Sequence, residues 1–378
     1  MDPFPNKLWL ETPLIRSTHL SSLLGANIYL KLDNLQPAQS FKSRGISHYA
    51  QNAFRVHGPD VHLIIASGGN AGLAAACAAH ALGVRCTVFL PEWAGQATLD
   101  FLRKQGAEVV KRGTFYFEAL AHARDAVAAD PKAVMVPAYD DPLLWEGHAS
   151  LVHEIRHQLP EGTKPAAVFC SVGGAGLAGG IMTGLKAVGW DDVSLVTVET
   201  HGASCFYQSL SLNDGKFPGE VKERPPPEGI TAEFVADADV TVAHVAKLTS
   251  KATSLGASSP SAPVVKMALQ RSGEVKSICI PDEMAMQATS LFAADHKILV
   301  ELACSATLAP AYKPELFRKL VPQSEAPPTV VLIVCGGFNV TLADLEDYKN
   351  VVGADIAAGG VWEVAYNGAK LTVPKAQA

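Results

Sequence analysis

The chain has no basic stripe, no block of like charge and no long apolar run. Its 31 Lys and Arg against 37 Asp and Glu leave a net charge of −6. That excludes the electrostatic footprint of a nucleic-acid or anionic-membrane binder. Met1 to Leu10 carries no basic segment followed by an apolar stretch. We therefore expect no signal peptide, no transmembrane segment and a cytoplasmic protein. Cysteine is scarce and odd in number, seven in 378 residues, with no Cys-x-x-Cys pair. This argues against a disulfide framework and a structural zinc site. Cys86, Cys170, Cys279 and Cys335 lie in apolar runs and read as small core residues in a reducing compartment. No repeat of solenoid period occurs.

What is present is an alternation. Short apolar runs bounded by turn signals take turns with longer amphipathic stretches, in a chain that is 48% apolar and 18% charged. We expect strands at Ile28–Asp33, Leu63–Ser67, Cys86–Leu90, Glu108–Arg112, Val134–Pro137, Ala167–Val172, Leu195–Glu199, Ser277–Ile280 and Val330–Cys335. Helices are expected at Gly72–Leu82, Trp93–Gln105, Thr114–Ala129, Trp145–Leu159 and Asp282–Ala294. Such alternation predicts an α/β protein: open, mostly parallel sheets with helices on both faces and ligands at the strands' carboxyl ends. The length allows two domains. Asn213–Gly229 and Pro322–Pro328 are expected loops, and after Asn350 the pattern fades.

Four strand ends carry chemistry. Lys42, in Gln39-Ser40-Phe41-Lys42-Ser43-Arg44-Gly45, sits where a loop gives way to a helix. A pocket there favours a neutral, nucleophilic amine. Ser67-Gly68-Gly69-Asn70-Ala71-Gly72 opens an Ala-rich helix, and its backbone N–H groups can approach an anion. Ser171-Val172-Gly173-Gly174-Ala175-Gly176-Leu177 is a backbone cradle of the phosphate-binding kind. It overlaps a literal Gly174-x-Gly176-x-x-Gly179, with Glu199 near the offset of a ribose-binding acid. A dinucleotide-dependent oxidoreductase is the rival reading. Finally, Cys335 ends the last apolar strand.

His153-Glu154-Ile155-Arg156-His157 is a literal H-E-x-x-H. Helical projection puts both histidines opposite the Leu151, Val152, Ile155 and Leu159 stripe, on a solvated face without a third ligand.

Taken together and in order, these segments resemble the serine/threonine dehydratases of the tryptophan-synthase-β-like family. These are fold type II enzymes using pyridoxal 5′-phosphate (PLP). The match runs from about Thr12 to about Lys349. It includes Val198-Glu199-Thr200-x-Gly202-Ala203 and Val300-Glu301-x-Ala303-Cys304. It looks closest to catabolic L-serine dehydratases, because Cys335 stands where racemases and biosynthetic threonine dehydratases usually carry Ser. The resemblance implies a large PLP-binding domain from 1–45 and 149–350, a small domain from 46–148 and a tail from 351–378. It implies that Lys42 holds PLP covalently and then serves as base, with Phe41 packed on the pyridine ring. Asn70 would bond the ring 3′-oxygen, Ser254 would cover the other face, and Cys335 would face the pyridine nitrogen. Ser67, Gly68, Gly69, Asn70 and Ala71 would hold the substrate carboxylate. Gly173, Gly174, Ala175, Gly176 and Leu177 would hold the phosphate. Glu199, Ala203, Leu255 and Ala257 would form a monovalent-cation site for potassium.

The implied activity is elimination and deamination of L-serine to pyruvate and ammonia, and of L-threonine to 2-oxobutyrate, by a homodimer. Threonine dehydratase, serine racemase and a catalytically idle binding protein are the alternatives within the fold. Ala175 departs from the family's tetraglycine loop, so it is expected to keep φ below zero. Ser254 and Ser305 depart where Ala and Gly are common.

Overall fold

Short runs rich in apolar residues build the sheets, with polar residues such as Lys31 and Glu199 buried among them. β1 (Leu14–Arg16) and β2 (Asn27–Leu32) come first, then β3 (His62–Ala66), β4 (Arg85–Leu90), β5 (Glu108–Lys111) and β6 (Ala133–Met135). They are followed by β7 (Ala167–Ser171), β8 (Ser194–Thr200), β9 (Ile230–Val235), β10 (Val240–Val245), β11 (Val275–Ile280) and β12 (Thr329–Val334). β13 (Val361–Tyr366) and β14 (Ala369–Pro374) close the chain's ordered elements. The structure, a computed structural model, describes residues 6–92, 94–114, 116–217, 225–322 and 324–376. Parts of four expected segments, at Trp93, Phe115, residues 218–224 and Gln323, lie outside the described residues.

β3, β7, β8 and β11 are buried along their whole length, as strands covered on both faces must be. One sheet has eight strands in the order β1-β2-β12-β7-β8-β11-β13-β14, and its β2-to-β11 centre is parallel. A second sheet has four parallel strands, β5-β4-β3-β6. The protein is thus α/β with mostly parallel sheets. β9 and β10 form a separate antiparallel pair.

Beyond Asn350, where the sequence pattern fades, the chain continues the helix Leu342–Ala357 and adds β13 and β14 to the large sheet. Their turn, Asn367-Gly368, has positive φ at both residues (43° and 85°), the hairpin geometry that Asn-Gly favours.

The helix Lys42–His57 is locked in place by charge. Arg44 is wholly buried and bonds Asp33 beside β2 at 2.7 Å and Glu154 of the helix Pro142–Gln158 at 2.7 Å. Lys31 meets the other Glu154 oxygen at 2.6 Å. Removing one partner of such a buried network costs about 3–5 kcal/mol. The glutamate of H-E-x-x-H is therefore committed to holding two cations, not a metal water. Among the described residues no helix is long and apolar enough to cross a membrane.

Candidate active site

Lys42 opens its helix directly behind the end of β12. The Phe41 N–H donates to the Cys335 carbonyl (3.0 Å), and the Gly337 N–H to the Gln39 carbonyl (2.8 Å). These crossed bonds pin the lysine loop against the Cys335 turn. The Lys42 amine donates to the Ala138 carbonyl. Burial pushes its pKa down to about 8, against the opposing pull of Cys335. Cys335 is 5% exposed, with Sγ 3.6 Å from Ser171 Oγ.

Asn70 opens the helix Asn70–Leu82 after β3. Its Oδ1 accepts the Phe338 N–H (3.2 Å). Its Nδ2 donates to the Glu301 carboxylate (3.1 and 3.2 Å) and lies 3.4 Å from Ser254 Oγ. Glu301 also accepts the Asn339 N–H (2.8 Å), and burial pushes its pKa up. The turn from Ser67 to Ala71 thus reaches across from the four-stranded sheet to residues behind β12 on the eight-stranded one.

The turn Ser171–Leu177 sits between β7 and the helix Gly176–Ala187, with Leu177 turned into the core. Its glycines are needed for space. A Cβ on Gly174 would lie 2.4 Å from the Tyr139 ring, one on Gly176 2.9 Å from the Tyr139 carbonyl, and one on Gly173 3.1 Å from Leu255. Ala175 corrects the sequence reading. Its φ is +71°, the left-handed region, and not below zero. As the residue capping the helix, it turns the chain from strand to first helical turn, where a glycine is the ordinary choice.

Glu199 is wholly buried and accepts the N–H groups of Phe206 (2.9 Å) and Tyr207 (2.6 Å). Burial holds its pKa well above the usual carboxylate range. Turned inward, it cannot reach a ribose hydroxyl, so the dinucleotide reading loses its acid. Of the other residues grouped with it, Ala203 is bridged to Thr200, and the Leu255 carbonyl accepts the Ala257 N–H (2.8 Å).

Phe41 lies 5.3 Å, ring centroid to amine, from Lys42. Sequence reasoning gave no role to Tyr139, whose ring abuts the Gly174 turn, to Ala138, or to Glu301 and Phe338, which hold Asn70. The position of Ala138 and Tyr139 just past β6, at a strand's carboxyl end, was the available signal.

Residues 6–336 match the family described as "Pyridoxal-phosphate dependent enzyme". The chain belongs to this family. Among relatives of this pyridoxal-phosphate dependent enzyme, the human "L-serine dehydratase/L-threonine deaminase" is 37% identical over 92% of this chain and 96% of its own. The mouse "Serine dehydratase-like" protein is 39% identical over 90% and 94%. The crystal structure of a fungal L-serine ammonia-lyase from Rhizomucor miehei superposes with a TM-score of 0.77, at 30% identity, covering 91% of this chain and 98% of that one.

The residues present fit the family's cofactor. A half-buried amine whose pKa is lowered by desolvation stands at one end of the site. At the other, a turn with glycine at 173, 174 and 176 leads into a helix N-terminus, an arrangement suited to a phosphate.

Proposed function

We propose that this enzyme removes water and ammonia from L-serine to give pyruvate, and converts L-threonine to 2-oxobutyrate. The observation that carries the reading is the 37% identity to the human serine dehydratase over nearly the whole of both chains. The site chemistry supports it.

In this reading Lys42 would hold PLP, Phe41 and Ser254 would flank its ring, and Asn70 and Cys335 would bond its polar ring atoms. Gly173 to Leu177 hold its phosphate. Bound PLP supplies an electron sink that acidifies a substrate's α-proton. The chain's own groups do the rest. Ser67 to Ala71 hold the substrate carboxylate by N–H groups near the N-terminus of the helix Asn70–Leu82. The Lys42 amine, with a pKa near 8, is the base that takes the α-proton. A thiol at the ring nitrogen, where a carboxylate would strengthen the sink, suits elimination of a β-hydroxyl over transamination.

The reading extends to potassium near Glu199, Ala203, Leu255 and Ala257. The wholly buried Glu199 side chain supports it as an oxygen donor of the kind a hard cation takes. It extends also to a cytoplasmic homodimer, and to a division into 1–45 with 149–350, 46–148 and a tail from 351.

The test is a spectrum of the purified protein supplied with PLP, before and after borohydride. L-serine is then added to an unreduced sample. A near-visible band that reduction fixes onto Lys42, with pyruvate released and both lost in Lys42→Ala, is the expected result. A band without 2-oxo acid from either substrate overturns the reaction. No band at all overturns the role of Lys42.

A further inference from the structure

His148 has no part in the reading above, yet it lies behind the catalytic lysine. It sits on the helix Pro142–Gln158 and is wholly buried. Two neighbouring helices close on it through glycines. A Cβ on Gly45 of the Lys42–His57 helix would fall 2.6 Å from its Cε1 and Nε2. One on Gly180 of the Gly176–Ala187 helix would fall 2.2 Å from its Cβ. Beside it, Gly147 meets the Arg44 carbonyl and Gly45 Cα at 2.7 Å by the same measure. Packing this close leaves the ring no freedom to turn.

Within that cage the imidazole meets the lysine segment at Gly45 and Phe41. Its Nδ1 accepts the Gly45 N–H at 3.2 Å, in the first turn of the helix that Lys42 opens. Its ring lies 5.0 Å, centroid to centroid, from the ring of Phe41 at an interplanar angle of 53°. We propose that His148 is a positioning residue for Lys42: by accepting the Gly45 N–H and backing the Phe41 ring, it fixes the turn from which the amine enters the site. The inference rests on Lys42 being the catalytic amine.

The electrostatics agree. Burial, then the charge of Lys42, hold the His148 pKa well below its ordinary value, with Asp33 pulling the other way and Arg44 adding to the fall. The ring therefore stays uncharged around neutral pH and free to accept at Nδ1. A cationic side chain here would set a second positive charge beside the Lys42 amine. An aliphatic one would leave the Gly45 N–H without its acceptor in a dry interior, at the cost of an unmade buried hydrogen bond.

The test compares His148→Leu with His148→Gln in the PLP-loaded full chain. Leucine keeps the bulk and removes the acceptor, whereas the glutamine amide oxygen can accept the Gly45 N–H. In H148L, kcat per loaded site is expected to fall about tenfold with KM for L-serine changed less than about threefold, as for a misplaced catalytic group. The pH at which the near-visible band titrates should also move. In H148Q both should return close to the wild-type values. A merely structural residue would lower thermal stability in both variants and leave the band's titration unmoved. H148L with wild-type kcat and titration overturns the proposal, and so does H148Q impaired as severely as H148L. If H148L does not fold, amide exchange at Gly45 decides. Protection in the wild-type protein that H148Q retains supports the proposal, and exchange as fast as in exposed loops overturns it. Wild-type turnover and reduction at Lys42 report on the underlying function separately, so the two failures are distinguishable.

Discussion

Two turns in this molecule obey one grammar and differ in what surrounds them. Ser67–Ala71 leads from β3 of the small sheet into the helix Asn70–Leu82, and Ser171–Leu177 leads from β7 of the large sheet into the helix Gly176–Ala187. Both follow a buried parallel strand, and both bare their backbone N–H groups at a helix start. In the second turn, Cβ atoms on Gly173, Gly174 and Gly176 would meet the Leu255 backbone and the body of Tyr139. In the first, a Cβ on Gly68 would meet only the tip of Leu90 (2.8 Å), and one on Gly69 would find nothing nearer than Asn339 Nδ2 at 3.9 Å. One turn is clamped by the backbone and ring of other elements, and the other is half-buried and meets only side-chain ends. That division suits a group held through every turnover on one side and a substrate that enters and leaves on the other.

The largest effect should come from tightening the clamped turn. Gly174→Ala puts a methyl into the Tyr139 ring, which is itself tethered by its hydroxyl to the Ser259 carbonyl (3.0 Å). Overpacking of this kind costs about 1–3 kcal/mol. We expect PLP affinity, measured by fluorescence titration of the apo protein, to fall at least about tenfold. Tyr139→Ala in the same chain should recover part of the loss. A simple sum of the two single effects would show that the ring is not the obstacle.

The half-buried turn depends on a partner from another element, Glu301, and that dependence should appear as pH sensitivity. Asn70 donates to Glu301, a carboxyl whose pKa burial raises above its ordinary 4.5. A raised carboxyl contributes stability that is complete below the unfolded pKa and is lost as pH rises through the folded one. Glu301→Gln does not ionise. The thermal midpoint of E301Q minus that of the wild-type protein should therefore increase as pH rises from about 4.5. A pH-independent difference would mean that Glu301 does not set the stability of this junction.

Much of this contrast was legible in the sequence, and the illegible part has a physical cause. The inner strands β3, β7 and β12 are nearly continuous apolar runs because both their faces are covered, and such runs announce themselves, whereas β2, β8 and β11 bury Lys31, Glu199 and Lys276 among their apolar residues. The glycine turns at the strands' carboxyl ends announce themselves too. The half-exposed strands β9, β13 and β14 lack that signature. For the last two, Asn367-Gly368 between Val361–Tyr366 and Ala369–Pro374 was the clue that went unused. Tyr139, Glu301 and His148 were hidden for another reason. Their roles come from contacts with Gly174, Asn70 and Gly45, respectively 35, 231 and 103 residues away in sequence. Ala175 was misjudged because a glycine replaced in a glycine run was assumed to be the one not needed for its φ. The structure has it reversed: Gly173, Gly174 and Gly176 have φ outside the positive range, and the alanine lies within it.

That reversal gives a smaller prediction. Ala175→Gly should relieve a left-handed alanine, worth about 1–2 kcal/mol, against an entropic cost near 0.5–1 kcal/mol for glycine in the unfolded chain. The net gain should raise the thermal midpoint of the apo protein by about a degree. PLP affinity should be unchanged, since no contact of the cradle depends on the Ala175 methyl in this reading. A lower midpoint would mean that the methyl, which is 2% exposed, packs well enough to outweigh its backbone strain.

The smallest change should follow from filling the open turn. Gly69 has φ −103° and ψ −153°, extended backbone that alanine adopts without strain. Gly69→Ala is therefore expected to leave the thermal midpoint and PLP affinity where they are, within the ~0.5 kcal/mol usual for a substitution that meets nothing. If the methyl points into the space a substrate enters, KM for L-serine should rise about threefold while kcat holds, because only ground-state binding is touched. Steady-state kinetics on PLP-saturated enzyme would read this directly. A loss of PLP affinity comparable to that of G174A would collapse the distinction between the turns, since it would make Ser67–Ala71 as tightly clamped as Ser171–Leu177. An unchanged KM would instead confine the substrate to the Ser67 and Asn70 side chains and the N–H groups beyond Gly69.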